Sequence, residues 1–534
     1  MVEYWVGRKN FECHHPSPPS AWTFLCIERN KLNFDLCLAE GFVQESAMPI
    51  FDKVRELAII QSSAAVLNWD QETYLPHHAN QYRADQLAWL AARAHELATS
   101  NAWKNDLEFA EATASDSDPI LSANLKELRR KFDRATKLSL ELVTRDSVAC
   151  SLAKHSWADA RKRSDFSSFA PHLEKLLGIA REKAELWGYD SEPYDALLDG
   201  HERATSTTAV ANLFDAMRPA LRDISSQAVE KSSAQLSCLP LGPYPIAEQQ
   251  KFNAQVAEAI GFNFQAGRID TTTHPFCTTL GPRDVRLTTR YLESDFTSSL
   301  SGVLHEAGHG LYEQGLPVSD FGLPSGKPVS LGIHESQSRL WENHVGRSRS
   351  FWEKWYPVAQ EIFPQLTNFS LQSFLSHLWR AEFSPIRVEA DEATYDLHIL
   401  LRFDLERRMM NGTLAVPDVP HAWNEGFREL FGFNPPDDRQ GCLQDIHWSM
   451  GGMGYFATYT LGNINSAQLF AAAKRNSVVA AAIEQADYAP LLAWLTKSVY
   501  SRGATMDPTE LIRHATGKVP STDDYLAHLK SRYN

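Results

Sequence analysis

Cysteine is scarce in this chain: seven in 534 residues, at Cys13, Cys26, Cys37, Cys150, Cys238, Cys277 and Cys442. No two make a CxxC pair and the scatter fits no disulfide framework, so free thiols in a reducing compartment are expected. Long apolar runs are missing as well. No stretch of about 18 or more apolar residues occurs, so no membrane-spanning helix is expected. Positive charge is in deficit, with 52 Lys+Arg against 66 Asp+Glu for a formal net charge of −14. Nucleic acid and anionic membrane surfaces demand clustered Lys and Arg, so neither is expected as a partner. Alternating strand patterns are few, and neither an internal repeat nor a low-complexity tract is visible.

What is present is mostly helical pattern. Hydrophobic residues make up 43% and charged residues 22%, the balance of a folded chain rather than a disordered one. Residues 83–98, 121–144, 168–187, 206–230 and 246–260 place apolar side chains at steps of three and four. Ser206 fits as the N-cap of the fourth segment. The strand candidate is 283–291, RDVRLTTRY, and the Pro/Gly-rich stretch 317–333 is expected to be a loop. Ser384-Pro385 predicts a helix start, and Asn411-Gly412 the stop of that helix. Leu397, Leu401 and Leu405 form its stripe, widened by Ile399, Leu400 and Phe403, so it is expected to be deeply buried.

The first 47 residues differ in texture. They hold three of the cysteines and the run His14-His15-Pro16-Ser17-Pro18-Pro19, with no sustained helical period. They lack the basic start and continuous apolar core of a secretory signal. Helical spacing begins at 50–68. The folded protein is therefore expected to span 48–534 as one large domain, with 1–47 a weakly ordered extension or a misassigned start. A docked N-terminal segment is the alternative.

The sharpest chemical pattern is His305-Glu306-Ala307-Gly308-His309. A helix turns about 100° per residue, so residues four apart share a face. His305 and His309 can then aim ring nitrogens at one zinc ion, while Glu306, offset by one residue, can take a proton from water at the metal. Leu300, Val303, Leu304, Ala307 and Leu311 supply an apolar face, and Ser298 is a possible cap. Hydrolysis at zinc needs a third protein ligand and an open position. Glu335, in His334-Glu335-Ser336-Gln337 at the start of a second helical stretch, is the leading candidate, with His334 behind it.

Further blocks follow in order: Trp69-Asp70-Gln71-Glu72-Thr73, His274-Pro275-Phe276, Asp284-Val285-Arg286-Leu287-Thr288, Ile386-Arg387-Val388-Glu389-Ala390 and the GCLQDIHW run from Gly441 to Trp448. Together with the HEAGH and HESQ motifs they resemble the signatures of the M32 metallocarboxypeptidases, the thermostable-carboxypeptidase type. The resemblance runs from about Met48 to the C-terminus. One local departure is His201-Glu202-Arg203, where a Tyr-Glu-Pro-Gly-like turn would be expected.

The resemblance implies His305, His309 and Glu335 as metal ligands and Glu306 as general base, then acid toward the leaving amine. It implies zinc, with cobalt a possible substitute. It implies a mainly α fold: a large, saddle-shaped helical domain with a deep groove and a small β element near the active site, as in neurolysin-like peptidases. It implies a cytoplasmic homodimer acting on peptides with a free C-terminus.

Chemistry suggests roles for the other blocks. A terminal carboxylate is best held by a guanidinium fork, for which Arg387 and Arg286 are the candidates. Arg387 could equally be a structural ion pair near Glu389, Asp391 and Glu392, and Arg286 a strand-edge charge. Tyr455, with His447 nearby, is a candidate donor to a tetrahedral oxyanion; Tyr459 is its rival. His274 could donate to the substrate carbonyl or only fix a turn, and Asp445 could orient an imidazole. An oligopeptidase on the same scaffold and a non-catalytic metal- or peptide-binding protein are the alternative functions. The second would be expected to lack Glu306 or a ligand.

Overall fold

Helix dominates the computed structural model, which describes residues 48–115, 117–234 and 238–533. The expectation for residues 1–47 lies outside these, as do Cys13, Cys26 and Cys37. Cys150, Cys238, Cys277 and Cys442 are free thiols. Among the described residues no helix is long and apolar enough to cross a membrane.

The periodic segments fold as helices at Asn80–Ala98, Phe166–Trp187, Thr207–Ser233 and Ile246–Ala259. Ser206 caps the third of these by accepting the Ala209 N–H at 3.2 Å. The segment 121–144 is not one helix. Pro119–Thr136 ends, and Leu140–Arg163 begins afresh because Ser139 in extended backbone accepts the Leu142 N–H at 3.1 Å. The hydrophobic stripe ran through that break, so periodicity alone concealed it.

The Ser384-Pro385 start is also corrected. Helix begins only at Tyr395 and runs to Met410. Before it, Arg387–Glu389 make a single 3-10 turn. The Asp391 carboxylate accepts the N–H groups of Ala393 and Thr394 at 2.9 and 3.2 Å, a local bond that competes with helix propagation. The helix that follows is deeply buried, with Leu397, Leu401, Leu405, Ile399, Leu400 and Phe403 all inaccessible or nearly so. The 317–333 stretch is a loop with short 3-10 turns at Val318–Asp320 and Pro324–Gly326, giving way to helix at Leu331.

The β content is one small sheet of β1 (Gly267–Thr271), β2 (Cys277–Gly281) and β3 (Asp284–Thr289), in the order β1-β3-β2. β3 pairs parallel with β1, Arg268 opposite Arg286, and antiparallel with β2, Cys277 opposite Leu287. Only β3 lies within the predicted strand. β1 and β2 are too short and too irregular in polarity to show a period of two. Val285 and Leu287 of β3 join Val303, Leu304, Ala307 and Leu311 of the HEAGH helix in one core, so the sheet is the floor on which that helix rests. A second large core gathers around the Tyr395–Met410 helix, and Trp379 packs against both cores.

Candidate metal centre and its surroundings

The HEAGH helix spans Phe296–Gly315. Its cap is Asp295, not Ser298: the Asp295 side chain accepts the Thr297 N–H at 2.8 Å from extended backbone, leaving Ser298 inside the first turn. One turn apart, His305 and His309 turn Nε2 toward Oε2 of Glu335, at 3.8 and 3.5 Å. One ligand atom from each residue falls within 4.8 Å of the others. Ligands on a tetrahedral zinc shell of about 2.0–2.1 Å stand about 3.3–3.4 Å apart. The donor set and spacing therefore suit such an ion after a small contraction.

The opposite side of each donor is held. His305 Nδ1–H donates to Glu342 Oε2 at 2.9 Å, and His309 Nδ1–H donates to the His334 carbonyl at 3.1 Å. With Nδ1–H given to these acceptors, Nε2 is the nitrogen that carries the lone pair once each ring is neutral. Glu335 Oε1 accepts from Arg339 Nε at 2.7 Å, leaving Oε2 to face the imidazoles. His334 stands behind His309: its Nδ1 lies against His309 Nδ1, and its Nε2–H donates to Glu313 at 2.9 Å. It is outside the three-residue cluster.

Glu335 sits mid-way along the helix Leu331–Arg339, whose start is fixed twice. Ser330 Oγ accepts the Ile333 N–H at 3.2 Å. Buried Glu202 accepts the Gly332 N–H at 2.8 Å and the Ser330 hydroxyl at 2.9 Å. The His201-Glu202-Arg203 departure thus supplies a support for the Glu335 helix. Two glycines let neighbouring helices close on it. A Cβ at Gly308 would stand 2.5 Å from the Gln337 carbonyl oxygen, and one at Gly462, on the helix Ala457–Lys474, would stand 2.5 Å from Glu335 Cγ. After Arg339 the chain winds into a π-helical stretch, Leu340–Gly346, which delivers Glu342 to His305.

The electrostatics follow from this crowding. Burial works to lower His305, but the charges of Glu335 and Glu342 outweigh it and raise its pKa to about 9. His309 is driven well below the usual histidine value by burial and by its cationic neighbours. Burial pushes the Glu306 carboxyl up to about 7. Glu342 is held down to about 2 despite burial by its bond from His305 and the nearby Arg339 guanidinium.

The remaining predicted residues divide. His447 and Tyr459 are joined, Nε2 to hydroxyl, at 3.2 Å, and the Tyr455 ring lies 5.2 Å from that of His447. The Tyr455 hydroxyl is raised by burial and then by the charge of Glu335. His447 is lowered to about 4, chiefly by burial. Arg387 is buried; its Nε donates to Asp445 at 2.9 Å and its Nη1 to the Tyr395 hydroxyl at 2.8 Å. Its ion-pair partner is thus Asp445 rather than the adjacent acids. Asp445 orients no imidazole: it also accepts from fully buried Arg402 at 2.7 Å, a charge that requires a counter-charge. Arg286 is engaged by Asp284 at 2.9 and 3.0 Å and lies 4.2 Å over the Trp69 ring. His274 is exposed on the β1–β2 connection.

The sequence assigns no role to Glu342, Arg339, Glu202, Gly308 or Gly462. Arg339 had a usable signal, since it stands four residues after Glu335 and helical geometry puts the two on one face. Gly462 had none.

Comparison with known proteins gives a consistent answer. Residues 50–533 match the family model described as carboxypeptidase Taq (M32) metallopeptidase. A thermostable carboxypeptidase 1 of Thermus thermophilus is 39% identical over 491 residues, covering 90% of this chain and 96% of that protein. The crystal structure of an M32 carboxypeptidase from Deinococcus radiodurans superposes with a TM-score of 0.88 at 37% identity, covering 91% of this chain and 98% of the other. A Pyrococcus furiosus carboxypeptidase structure gives 0.89 at 34% identity, covering 93% and 100%.

Proposed function

The chain belongs to the carboxypeptidase Taq (M32) metallopeptidase family, and on that premise we propose that it is a zinc carboxypeptidase releasing single residues from free peptide C-termini, with Glu306 as general base. Membership makes it a metallocarboxypeptidase acting on peptides; the ion, the ligands and the residue roles are our reading. The observation that carries it is the convergence of His305 Nε2, His309 Nε2 and Glu335 Oε2, each held from behind by another group.

Bound by these three residues, zinc (or cobalt in its place) would polarise the scissile carbonyl and bring the pKa of water toward neutrality. Glu306 takes the proton from the attacking water at its carboxylate and returns it to the leaving amine. In the metal-free chain burial lifts the Glu306 carboxyl to about 7, in the direction that a base working near neutral pH needs. Tyr455 remains protonated and can donate its hydroxyl to the developing oxyanion. Neutral His447, bonded to Tyr459, braces the same wall.

Arg387 is our candidate for the terminal carboxylate. Asp445 holds its Nε and Nη2 edge and Tyr395 one Nη1 position, and a guanidinium with five N–H groups keeps two more for a ligand. Arg286, whose Nε and Nη2 edge is already held by Asp284, and exposed His274 are assigned supporting contacts with substrate. The proposal extends by resemblance to a cytoplasmic homodimer, and the free thiols of the four cysteines among the described residues agree with a reducing compartment.

The test pairs elemental analysis with hydrolysis of one peptide in free-acid and C-terminally amidated forms. Stepwise release of C-terminal residues from the free acid alone is expected, with one zinc per chain. Equal cleavage of the amide, or internal cleavage, would establish an oligopeptidase instead.

A further inference from the structure

Arg339 reaches two carboxylates of the centre at once. Its Nε donates to Glu335 Oε1 at 2.7 Å, and its Nη1 lies 3.3 Å from Oε2 of Glu342. That same Glu342 oxygen receives the Nδ1–H of His305 at 2.9 Å. The guanidinium is itself clamped. It lies 4.8 Å over the Tyr395 ring, and the Tyr395 hydroxyl is fixed by Arg387 Nη1 at 2.8 Å.

Resting on the metal-site reading above, we infer that Arg339 is a positioning residue that restricts Glu335 to ligation through Oε2 alone and, by the same fork, fixes the carboxylate that orients His305. The reason is geometric. A carboxylate has two equivalent oxygens, and either one or both can bind a cation. Chelation by Glu335 would fill the coordination position that hydrolysis needs open. A charge-assisted bond at 2.7 Å holds Oε1 in the opposite direction. The planar fork presents Nε to Glu335 and Nη1 to Glu342 in fixed directions, whereas a lysine has only one flexible nitrogen to share between them. The stack on Tyr395 keeps the fork from swinging to solvent.

The experiment uses the full chain loaded with cobalt(II), whose visible absorption reports coordination number. The variants are Arg339→Lys and Arg339→Met, checked for folding by circular dichroism. Both are expected to bind cobalt about 10–100-fold more weakly in chelator competition, the loss typical when a ligand's outer partner is removed. Their visible absorption should also fall, as Glu335 closes on the ion with both oxygens. Unchanged spectra and affinity in the folded variants would overturn the inference. X-ray absorption on the wild-type protein tests it without any variant: a single short Co–O distance from Glu335 is expected, and a bidentate carboxylate would overturn it. Failure of the metal-site reading is distinguishable, because Glu335→Ala would then bind cobalt as wild type does.

Discussion

Gly462→Ala is a one-methyl change remote from the chemistry in sequence, and the structure makes its consequence calculable. The new Cβ would lie 2.5 Å from Glu335 Cγ, 2.7 Å from its Cβ and 3.2 Å from its carbonyl carbon. Carbon atoms pack at about 3.5–4.0 Å, so one partner must retreat by about 1 Å. Two terms oppose. Alanine in a helix interior gains about 1 kcal/mol over glycine, whereas overpacking a filled core costs about 1–3 kcal/mol. The net loss in stability is about 0–2 kcal/mol, small enough for the variant to fold. The displacement falls on Glu335, our proposed metal ligand, and donor distances at a metal must hold to within about 0.2 Å. Metal affinity should therefore fall at least about tenfold. Urea unfolding of the metal-free protein measures the first quantity and chelator competition the second. Gly178, mid-helix in Phe166–Trp187 with nothing within 4 Å of its built Cβ, is the control. Gly178→Ala should gain about 1 kcal/mol and leave metal affinity alone. If Gly462→Ala bound metal as tightly as wild type, the claim that this glycine seats Glu335 would be wrong.

Two other outcomes are expected. Glu306→Gln should keep its bound metal by elemental analysis yet lose about 10²–10⁴-fold in kcat; turnover near wild type would remove Glu306 from the mechanism. Metal affinity should rise with pH. In the metal-free protein His305 keeps its proton up to about pH 9, and only the neutral ring ligates. Binding therefore displaces one proton from His305 below that pH and none above it, so affinity climbs about tenfold per pH unit until about 9 and then levels. His309, already neutral, adds nothing to this. Calorimetry in buffers of different ionisation enthalpy counts the protons, and a pH-independent affinity between 6 and 9 would contradict the origin given for the shift.

The features that the sequence determined by itself are local ones. His305 and His309 share a face because helical geometry is the same in every protein, and the apolar stripe around them says which face is buried. The same rule located most helices and the buried Leu397–Leu405 stripe. It failed where a local competitor outweighed the periodic pattern: Ser139 restarting a helix, Asp391 delaying one, Asp295 capping a turn earlier than Ser298. Glu335 was legible by motif and by its place after a Pro/Gly loop, although no spacing rule could bring it to within 3.5 Å of His309.

Tertiary structure alone decided how the donors are held. Glu342 meets His305 only because a π-helical stretch rotates it there. Asp445 serves Arg387 and Arg402, residues 58 and 43 positions away, rather than an imidazole. Gly308 and Gly462 matter only because two helices approach Glu335 and its neighbours more closely than a methyl group allows. Ligand identity follows from donor chemistry, which each residue carries with it. Ligand aim follows from packing and from charge pairs between distant segments, which come into being only when the chain has closed on itself.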